Sequence, residues 1–291
     1  MSQPAAPERT GRESTADESS SSGQADEATD ESGDDAVAAS GAPVESTGPD
    51  TAAAARSAAE NADEYTFDDL AVVMGTYNEE AAIASVLEDI DRVTDGRASV
   101  VCVDGSDDRT PEIAREHGAR VIEQEPQGYG VAVHAALEAA DRPVVVTTDC
   151  DDTYPMEQLP EFLDAINDGY DVVSGDRLYH GAETMPPMNR LGNRAFAAVA
   201  SVLGGEHLHD VTTGMRAYHE DVIRSIRWTE NTGLSAELLI RPAMRGYRVR
   251  QEPIEYDERL GETKLDPFSG GAEIGTSILK CCIEERVRQL R

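Results

Sequence analysis

Lysine is almost absent from this chain. Only Lys264 and Lys280 are lysines among 25 basic residues, while acidic residues number 57 and give a formal net charge of −32 at pH 7. A surface this negative repels nucleic acid, which argues against that class of partner. The composition is typical of a cytosolic protein from an extreme halophile, because dense salt screens the repulsion between acidic groups. Acidic clusters are therefore informative here only where their position in the fold is special.

Long apolar runs are also absent. The sequence has no stretch of about 18 apolar residues that could span a bilayer, and its N-terminal region lacks the apolar segment of a signal peptide. We therefore expect a cytoplasmic protein that is dissolved or bound at the membrane surface. The four cysteines show neither metal-ligand spacing nor the pattern of secreted disulfides, so we expect reduced thiols.

Large apolar side chains are scarce in residues 1–66, which consist mainly of Ser, Ala, Gly, Asp and Glu. Such a segment cannot bury enough apolar surface to offset the entropy lost on ordering, so we predict a disordered acidic tail. A catalytic domain is predicted over residues 67–268. Residues 269–291 have the pattern of a C-terminal amphipathic helix, with cations toward its end that suit either the helix dipole or an anionic membrane surface.

Short Val- and Ile-rich runs alternate with helical patterns from Leu70 onward. This alternation indicates an α/β fold with a mostly parallel, Rossmann-like sheet covered by helices on both faces. In such a sheet the ligand lies beyond the carboxyl ends of the strands. The loops that follow the first four predicted strands are polar or contain glycine: GTYNEE, VDGSDDRT, EPQGYG and TDCDDTYP. Together they predict a nucleotide site at that edge.

The fourth loop places Asp149 and Asp151 directly after a buried strand. Two carboxylates held close together repel one another unless a cation lies between them. Proteins commonly hold Mg²⁺ by one or two carboxylates while the ion bridges phosphates, and Mn²⁺ accepts the same oxygens. We therefore predict that this pair binds Mg²⁺ or Mn²⁺ together with a diphosphate. The alternative is capping of the next helix, a role we assign to Asp152.

Asp104 and two glycines complete the site that the residues themselves predict. Asp104 ends the second strand, where an acidic group is placed to accept hydrogen bonds from a ribose or a base. Gly128 and Gly130 allow the backbone to approach a ligand closely.

An ordered set of segments resembles a known family. T-Y-N-E-E, V-D-G-S-D-D-x-T, G-Y-G, D-x-D-x-x-x-P, D-V-V-x-G-x-R and D-V-T-T-G-M-R are similar to glycosyltransferase family 2, most of all to its dolichyl-phosphate mannose and glucose synthase branch. The resemblance covers roughly residues 70–265. It implies a glycosyltransferase A-type fold, a nucleotide-sugar donor, a Mg²⁺ or Mn²⁺ ion and inversion at the sugar carbon.

The resemblance also implies roles for particular residues. Base and ribose would be held by Asp104 and by the first loop, at Thr76, Tyr77, Asn78 and Glu79. The D-x-D pair matches the metal site, and a late loop with Arg259 and Lys264 would close over the donor diphosphate as part of the catalytic machinery. The second strand ends in one Asp where the family commonly has two, so UDP and GDP both remain open, as do glucose and mannose.

A phosphate acceptor would need cations rather than a base. A phosphate monoester is already largely an anion at neutral pH, and arginine forks bind it well. Arg177, Arg190 and Arg194 are the candidates, the last two being one helical turn apart. The apolar residues around them suit a polyprenyl chain, a membrane edge or a plain core helix.

Asp210 begins the segment D-V-T-T-G-M-R and matches a family position near the acceptor. It would act as a base toward a sugar hydroxyl, or orient a phosphate acceptor. The sequence thus predicts an inverting hexosyltransferase acting on dolichyl phosphate for protein glycosylation, peripheral at the cytoplasmic face of the cell membrane. Two alternatives remain, namely transfer to a glycan hydroxyl with Asp210 as base, and a nucleotide-sugar-binding protein without activity.

Overall fold

The computed structural model describes residues 44–46, 64–180, 184–257 and 267–291 of the chain. The strands are β1 Val44–Ser46, β2 Leu70–Thr76, β3 Ser99–Asp104, β4 Arg120–Glu123, β5 Val144–Thr147, β6 Val172–Asp176, β7 Arg216–His219 and β8 Val249–Pro253. The helices are α1 Ile83–Thr94, α2 Thr110–Glu116, α3 Tyr129–Ala139, α4 Leu159–Asn167, α5 Pro187–Gly204, α6 Glu220–Ser225, α7 Leu234–Met244 and α8 Pro267–Gln289.

The described strands form one mixed sheet in the order β1-β8-β6-β7-β5-β2-β3-β4. β2 runs parallel to both β3 and β5, and β3 runs parallel to β4, so the loops after these strands meet at one edge. The predicted, mostly parallel sheet is confirmed, with one addition. β7 lies between β5 and β6 and is antiparallel to both. Its four residues, Arg-Ala-Tyr-His, contain no apolar run, which is why the sequence pattern did not predict it.

Helices cover both faces of the sheet, as the sequence predicted. On one face the strands share a buried apolar cluster with α1, α2 and α4, and on the other with α3, α5, α7 and α8. All residues of β5 and β6 are buried. This burial on both faces explains the near-continuous valine runs, because strands between two helical layers have no solvent side.

The C-terminal helix α8 packs against α5 and α7. Ile278, Cys281 and Cys282 are buried in the same cluster as the sheet, so this side of the helix is part of the core. Burial raises the pKa of the Cys281 thiol to about 12, which keeps it protonated. Within the described ranges no helix is both long enough and apolar enough to cross a bilayer.

A buried ion network joins α7 to α8. The Glu285 carboxylate is 1% exposed and accepts hydrogen bonds from the guanidinium groups of Arg241, Arg245 and Arg288 at 2.6–3.0 Å. Burial alone would raise the pKa of Glu285, but the bonds from Arg245, Arg288 and Arg241 outweigh it and lower the pKa to about 2. The folded state therefore stabilises the ionised form of Glu285 more than the unfolded chain does.

Glu285→Gln is expected to lower the free energy of unfolding at neutral pH by about 3 kcal/mol. Since the pKa of Glu285 is lower in the folded state, its contribution is full above the ordinary Glu pKa of about 4.3 and is lost as the pH falls toward about 2. The difference between wild type and variant in denaturant unfolding should therefore shrink over that window. Glu284→Gln is the matched control, because Glu284 is 46% exposed and should have a small effect. A constant difference at every pH would contradict the assignment.

Most of the predicted tail falls outside the described residues, and its disorder stays a prediction. Within it, Val44–Ser46 forms β1 and pairs antiparallel with β8 at the edge of the sheet. This short strand was not expected from a segment so poor in apolar residues. The boundaries at residues 66 and 268 also stay predictions, with α8 beginning at Pro267.

Candidate active site

A cavity of about 560 Å³ lies at the carboxyl edge of the sheet. The loops after β2, β3, β4 and β5 all contribute to its lining, through residues that include Thr76, Tyr77, Glu79, Gly105, Gly128, Asp149 and Asp151. Gly233 at the start of α7 and Ile274 of α8 supply another part of the wall. The parallel pairing of β2 with β3 and β5 is what brings these distant segments together.

Asp149 is held at the cavity by contacts from two directions. The Tyr129 hydroxyl donates to Asp149 Oδ1 at 3.2 Å. On the other side the carboxylate lies against Gly214, where a Cβ atom would come within 2.6 Å of Asp149 Oδ2. A side chain at position 214 would therefore displace the carboxylate. Tyr154 fixes this glycine by accepting a hydrogen bond from Gly214 N–H at 2.6 Å.

Asp151 is buried and is oriented by the turn that follows it. Its Oδ1 accepts hydrogen bonds from the backbone N–H and the hydroxyl of Thr153, at 3.3 and 2.6 Å. Both carboxylates of the D-x-D pair line one cavity, together with Tyr77. Asp152, in contrast, has a left-handed backbone with φ of 66° and does not cap α4, whose N-cap residue is Gln158. The capping role assigned to Asp152 was therefore wrong, because a turn and a short 3₁₀ helix, Met156–Gln158, precede α4.

Asp104 links the first two loops. Its carboxylate is 1% exposed and accepts hydrogen bonds from the hydroxyls of Thr76 and Ser106 and from Ser106 N–H. Asn78 makes a second link, since its N–H donates to Ser106 Oγ and its Oδ1 accepts from Asp107 N–H. Its φ of 53° is a left-handed conformation that Asn tolerates better than most residues. Asp104 thus holds Thr76 at the cavity wall, and its direct contact with a nucleotide stays a prediction.

The third loop is fixed by a residue that the sequence analysis did not single out. Asn231 Oδ1 accepts from Gly130 N–H at 2.9 Å, and its Nδ2 donates to the Gln127 carbonyl at 3.0 Å. Gly128 has φ of 106°, and a Cβ atom at Gly130 would lie 2.4 Å from the Asn231 carbonyl oxygen. The glycines therefore serve the packing of this loop on Asn231. No local sequence pattern could have identified Asn231, which lies about a hundred positions away.

Arg177 and Asp210 form a buried ion pair. Arg177 Nε and Nη2 donate to the two carboxylate oxygens of Asp210 at 2.7 and 3.0 Å, and Nη2 also donates to Thr212, which lines the cavity. The preceding residues are joined as well, with His209 Nδ1 lying 2.9 Å from an oxygen of Asp176. The end of β6 is thus connected twice to the segment before β7.

The three predicted phosphate-binding arginines do not share one environment. Arg177 is buried against Asp210, whereas Arg190 and Arg194 lie on α5, where Arg194 is exposed. Arg194 lines a second cavity of about 510 Å³, together with His209 and Tyr179. Arg177 therefore differs from a free phosphate-binding side chain, because Asp210 already neutralises it. The catalytic roles of Arg259 and Lys264 fall on positions outside the described residues.

The comparisons with known proteins agree with this geometry. An α/β sheet of this order, with an acidic D-x-D pair at its carboxyl edge, defines a glycosyltransferase with the A-type fold. Residues 71–227 match the family model of glycosyl transferase family 2. The chain therefore belongs to glycosyltransferase family 2, as its motifs predicted.

Individual relatives indicate the branch of the family to which this chain is similar. The chain is 77% identical over 225 residues to a dolichyl-phosphate hexose transferase of Haloferax volcanii, covering 77% of this chain and 99% of that protein. It is 34% identical over 217 residues to the glycosyltransferase AglJ of the same halophile, covering 72% of this chain and 70% of that protein. The predicted family branch and halophilic character are thereby confirmed. The chain is an enzyme of the glycosyltransferase class.

A solved structure confirms the fold. Glucosyl-3-phosphoglycerate synthase from Mycobacterium tuberculosis, in complex with Mn²⁺, UDP-glucose and phosphoglyceric acid, superposes with a TM-score of 0.59. The two chains are 22% identical, and the superposition covers 79% of this chain and 82% of that one. At this level of identity the likeness concerns the A-type fold alone.

The donor set suits a divalent cation that is shared with a substrate. Asp149 and Asp151 both present carboxylates to one cavity, and carboxylate oxygens are preferred ligands of Mg²⁺ and Mn²⁺. In the described part of the chain, no group of three or more His, Cys, Asp or Glu side chains is arranged to enclose a metal ion. The carboxylate pair would supply part of an ion's coordination shell, and Mg²⁺ in proteins commonly takes its remaining ligands from water and phosphate oxygens.

Proposed function

We propose that this enzyme transfers a hexose from a nucleotide sugar to the phosphate of dolichyl phosphate, with inversion at the anomeric carbon. The observation that carries the proposal is the placement of Asp149 and Asp151 in one cavity with the loops after β2, β3 and β4. The name of the relative that is 77% identical supports the same acceptor. The lipid-linked hexose would then serve protein glycosylation.

In this proposal Asp149 and Asp151 hold Mg²⁺ or Mn²⁺ against the donor diphosphate. The cation would supply Lewis-acid stabilisation of the negative charge that develops on the leaving nucleotide. Thr76, Tyr77 and Glu79 would contact the nucleotide from the cavity wall, and Asp104 and Asn78 would hold the first loop in place. Gly128 would let the backbone approach the donor, while Gly130 packs against Asn231. Arg259 and Lys264 would add positive charge beside the diphosphate from the late loop. The donor is a UDP- or GDP-linked glucose or mannose.

The state of Asp210 favours a phosphate acceptor over a hydroxyl acceptor. Burial raises the pKa of Asp210, but the charge and hydrogen bonds of Arg177 outweigh it, and the pKa lies below the usual carboxyl value. A general base works best with a pKa near the operating pH and with room to take a proton. Asp210 has neither property, since both of its oxygens already accept from Arg177. A phosphate oxygen needs no such base, because it is already anionic when it attacks the sugar carbon.

The acceptor phosphate would be drawn to α5. This helix contains no Asp or Glu, although the chain has 57 acidic residues, and it carries Arg190 and Arg194. Arg194 lines the second cavity, next to the Asp176–His209 pair at the end of β6. Arg177 directly follows β6 and would reach the phosphate only by sharing its guanidinium with Asp210. We therefore assign the first contact to Arg194 and Arg190.

The outer surface of α5 and α8 suits an anionic membrane. Exposed apolar side chains recur at helical spacing on both helices: Met188, Leu191, Val199 and Val202 on α5, and Leu279, Ile283 and Val287 on α8. The two helices pack against each other, with Arg286 donating to the Leu203 and Gly204 carbonyls. In this proposal the two rows would face the membrane together. A surface of this kind would place the enzyme at the cytoplasmic face of the membrane, where its lipid acceptor lies.

Leu191→Glu combined with Ile283→Glu is expected to release the enzyme from vesicles that contain anionic lipid. Both side chains are more than half exposed, so the fold should tolerate the change, while the new carboxylates would repel the surface and remove buried apolar area. Co-sedimentation with vesicles in high salt measures the effect. His117→Glu adds a charge at an exposed position on α2's C-terminal side and serves as the control. If wild type, the double variant and His117→Glu bound the vesicles equally, the proposal that this surface binds the membrane would be contradicted.

One assay tests the whole proposal. The enzyme is incubated in molar KCl with labelled UDP-glucose or GDP-mannose and with dolichyl phosphate, dolichol or a glycan, with and without EDTA. Label in the lipid phase that requires dolichyl phosphate and is lost with EDTA would support the proposal. Label on dolichol or on the glycan would instead favour a hydroxyl acceptor. Donor binding without any transfer would identify an inactive nucleotide-sugar-binding protein.

A further inference from the structure

Asn231 connects the third loop of the cavity to the start of α7. Its side chain makes two hydrogen bonds to this loop, one from Gly130 N–H to Oδ1 and one from Nδ2 to the Gln127 carbonyl. We call these two bonds the Asn231 latch. They hold the backbone on both sides of Gly128, whose φ of 106° would otherwise leave the loop free to take other conformations.

The latch determines where the Tyr129 ring lies. Tyr129 is between the two latched positions and is the first residue of α3. Its hydroxyl donates to Asp149 Oδ1 at 3.2 Å, and its ring lines the cavity. Since a backbone shift of the Gln127–Gly130 loop would move the hydroxyl by a similar amount, this bond depends on the latch. A neutral hydroxyl donor therefore meets the Asp149 carboxylate.

The residues before Asn231 are themselves rigidly supported. Glu237 is fully buried, and its carboxylate accepts from the N–H groups of Thr229 and Glu230 at 2.9–3.1 Å. Arg241 holds this carboxylate through Nε at 2.6 Å. Glu230 is bound in turn by Ser277 and Lys280 of α8, each at 2.5 Å. The latch is thus attached to both C-terminal helices and not to a free loop.

We propose that Asn231 and Tyr129 act together as positioning residues for Asp149. The latch fixes the Tyr129 hydroxyl, and the hydroxyl fixes the rotation of the Asp149 carboxylate toward the divalent cation and the donor diphosphate. Gly214 leaves room for the carboxylate on the opposite side, since a Cβ atom at this position would come within 2.6 Å of Asp149 Oδ2. This inference rests on the proposed function, because it assumes that Asp149 binds a cation together with a nucleotide.

The test measures binding rather than turnover. Mn²⁺ affinity is determined by titration calorimetry on the full chain in molar KCl, with saturating UDP or GDP, for wild type, Tyr129→Phe, Asn231→Ala and the double variant. Partners that orient a metal ligand are typically worth ten- to a hundredfold in metal affinity. We expect each single variant to weaken Mn²⁺ binding by about tenfold. The double variant should be no weaker than the weaker single variant, because both changes break the same path.

Two further variants separate positioning from a general loss of structure. Asn231→Asp keeps the acceptor for Gly130 N–H but loses the donor to Gln127, so its Mn²⁺ affinity should be intermediate. Tyr247→Phe removes a hydroxyl that is bonded to Ser225 and lies outside the cavity lining, so it should leave the affinity unchanged. In turnover, the donor KM should rise more than kcat falls. If Asn231→Ala fails to fold, Tyr129→Phe still tests the inference. This substitution removes only one hydroxyl from a partly exposed ring, so the fold should be kept.

The outcomes are distinct. Unchanged Mn²⁺ affinity in either single variant would overturn the inference, and so would effects that add in the double variant, because additivity means independent action. If wild type binds Mn²⁺ with the nucleotide but transfers no hexose to dolichyl phosphate, the proposed function fails while the binding comparison still tests the latch. If wild type binds no Mn²⁺, both the proposed metal site and the positioning role of Asn231 and Tyr129 are contradicted.

Discussion

Asp149→Asn and Asp151→Asn are each expected to reduce hexose transfer by about a thousandfold, since several kcal/mol of charge stabilisation are lost and each 1.36 kcal/mol is a factor of ten. The substitution keeps the size of the side chain and removes its charge. Because both carboxylates line one cavity, either change should weaken the same bound cation. Transfer of labelled hexose to lipid, measured over a range of Mn²⁺ concentrations, gives the loss and shows how far excess metal restores it.

The adjacent Asp152 provides the matched control for this experiment. It follows Asp151 directly and is also partly buried, but it is not among the residues that line the cavity. Asp152→Asn should therefore retain most of the wild-type rate. Binding of the nucleotide in EDTA should persist in all three variants, because the loops after β2 and β3 are unchanged. If either Asp149→Asn or Asp151→Asn transferred hexose at the wild-type rate, the proposed metal site would be contradicted.

Asp210→Asn is expected to lower the free energy of unfolding by about 3–5 kcal/mol, because it leaves the buried charge of Arg177 without its partner. Replacing both residues by apolar ones, as Arg177→Met with Asp210→Leu, should bring the stability close to that of wild type or above it. Since the pKa of Asp210 is lower in the folded state than in the unfolded chain, the stability it supplies is present above the ordinary carboxyl pKa of about 3.9. That contribution is lost as the pH falls through the folded value. Unfolding in denaturant measures each variant.

The same variant also separates the two acceptor classes. Well below its unfolding temperature, folded Asp210→Asn should still transfer hexose to dolichyl phosphate, whereas loss of a general base would cost about 10²–10⁴ in rate. Glu220→Gln is the control for stability, because it breaks an exposed pair with Arg224 that should be worth less than about 1 kcal/mol. If wild type transfers hexose to a glycan hydroxyl, and Asp210→Asn loses that transfer in the base-loss range with the fold intact, a hydroxyl acceptor would be favoured.

Local patterns in the chain were sufficient to predict much of the fold. The valine runs at β5 and β6 indicated strands buried on both faces, and the loops after β2 to β5 indicated where a ligand would lie. β7 was missed because a four-residue strand that contains Arg216 and His219 has no period to detect. Its burial comes from its two neighbouring strands and not from its own composition.

The residues of the candidate site also differ in whether the sequence alone could reveal them. The D-x-D pair could be found from sequence because both carboxylates lie within four positions of the end of β5. Asn231 could not be found, because its bonds to Gly130 and Gln127 join segments about a hundred positions apart. The binding of Asp210 to Arg177, rather than to an acceptor, was equally hidden, since they are 33 positions apart along the chain.

The sequence by itself determined the family, the order of strands and helices from β2 to β6, and the acidic pair at the end of β5. These features depend on short-range periodicity and on residue types at fixed spacing, which the chain displays directly. Only the tertiary structure decided that Asp210 is neutralised by Arg177, that Asp149 is held between Tyr129 and Gly214, and that α8 supports the cavity through Glu230. Such contacts are fixed by how helices and strands pack in three dimensions, and that packing is a property of the whole chain rather than of any one segment.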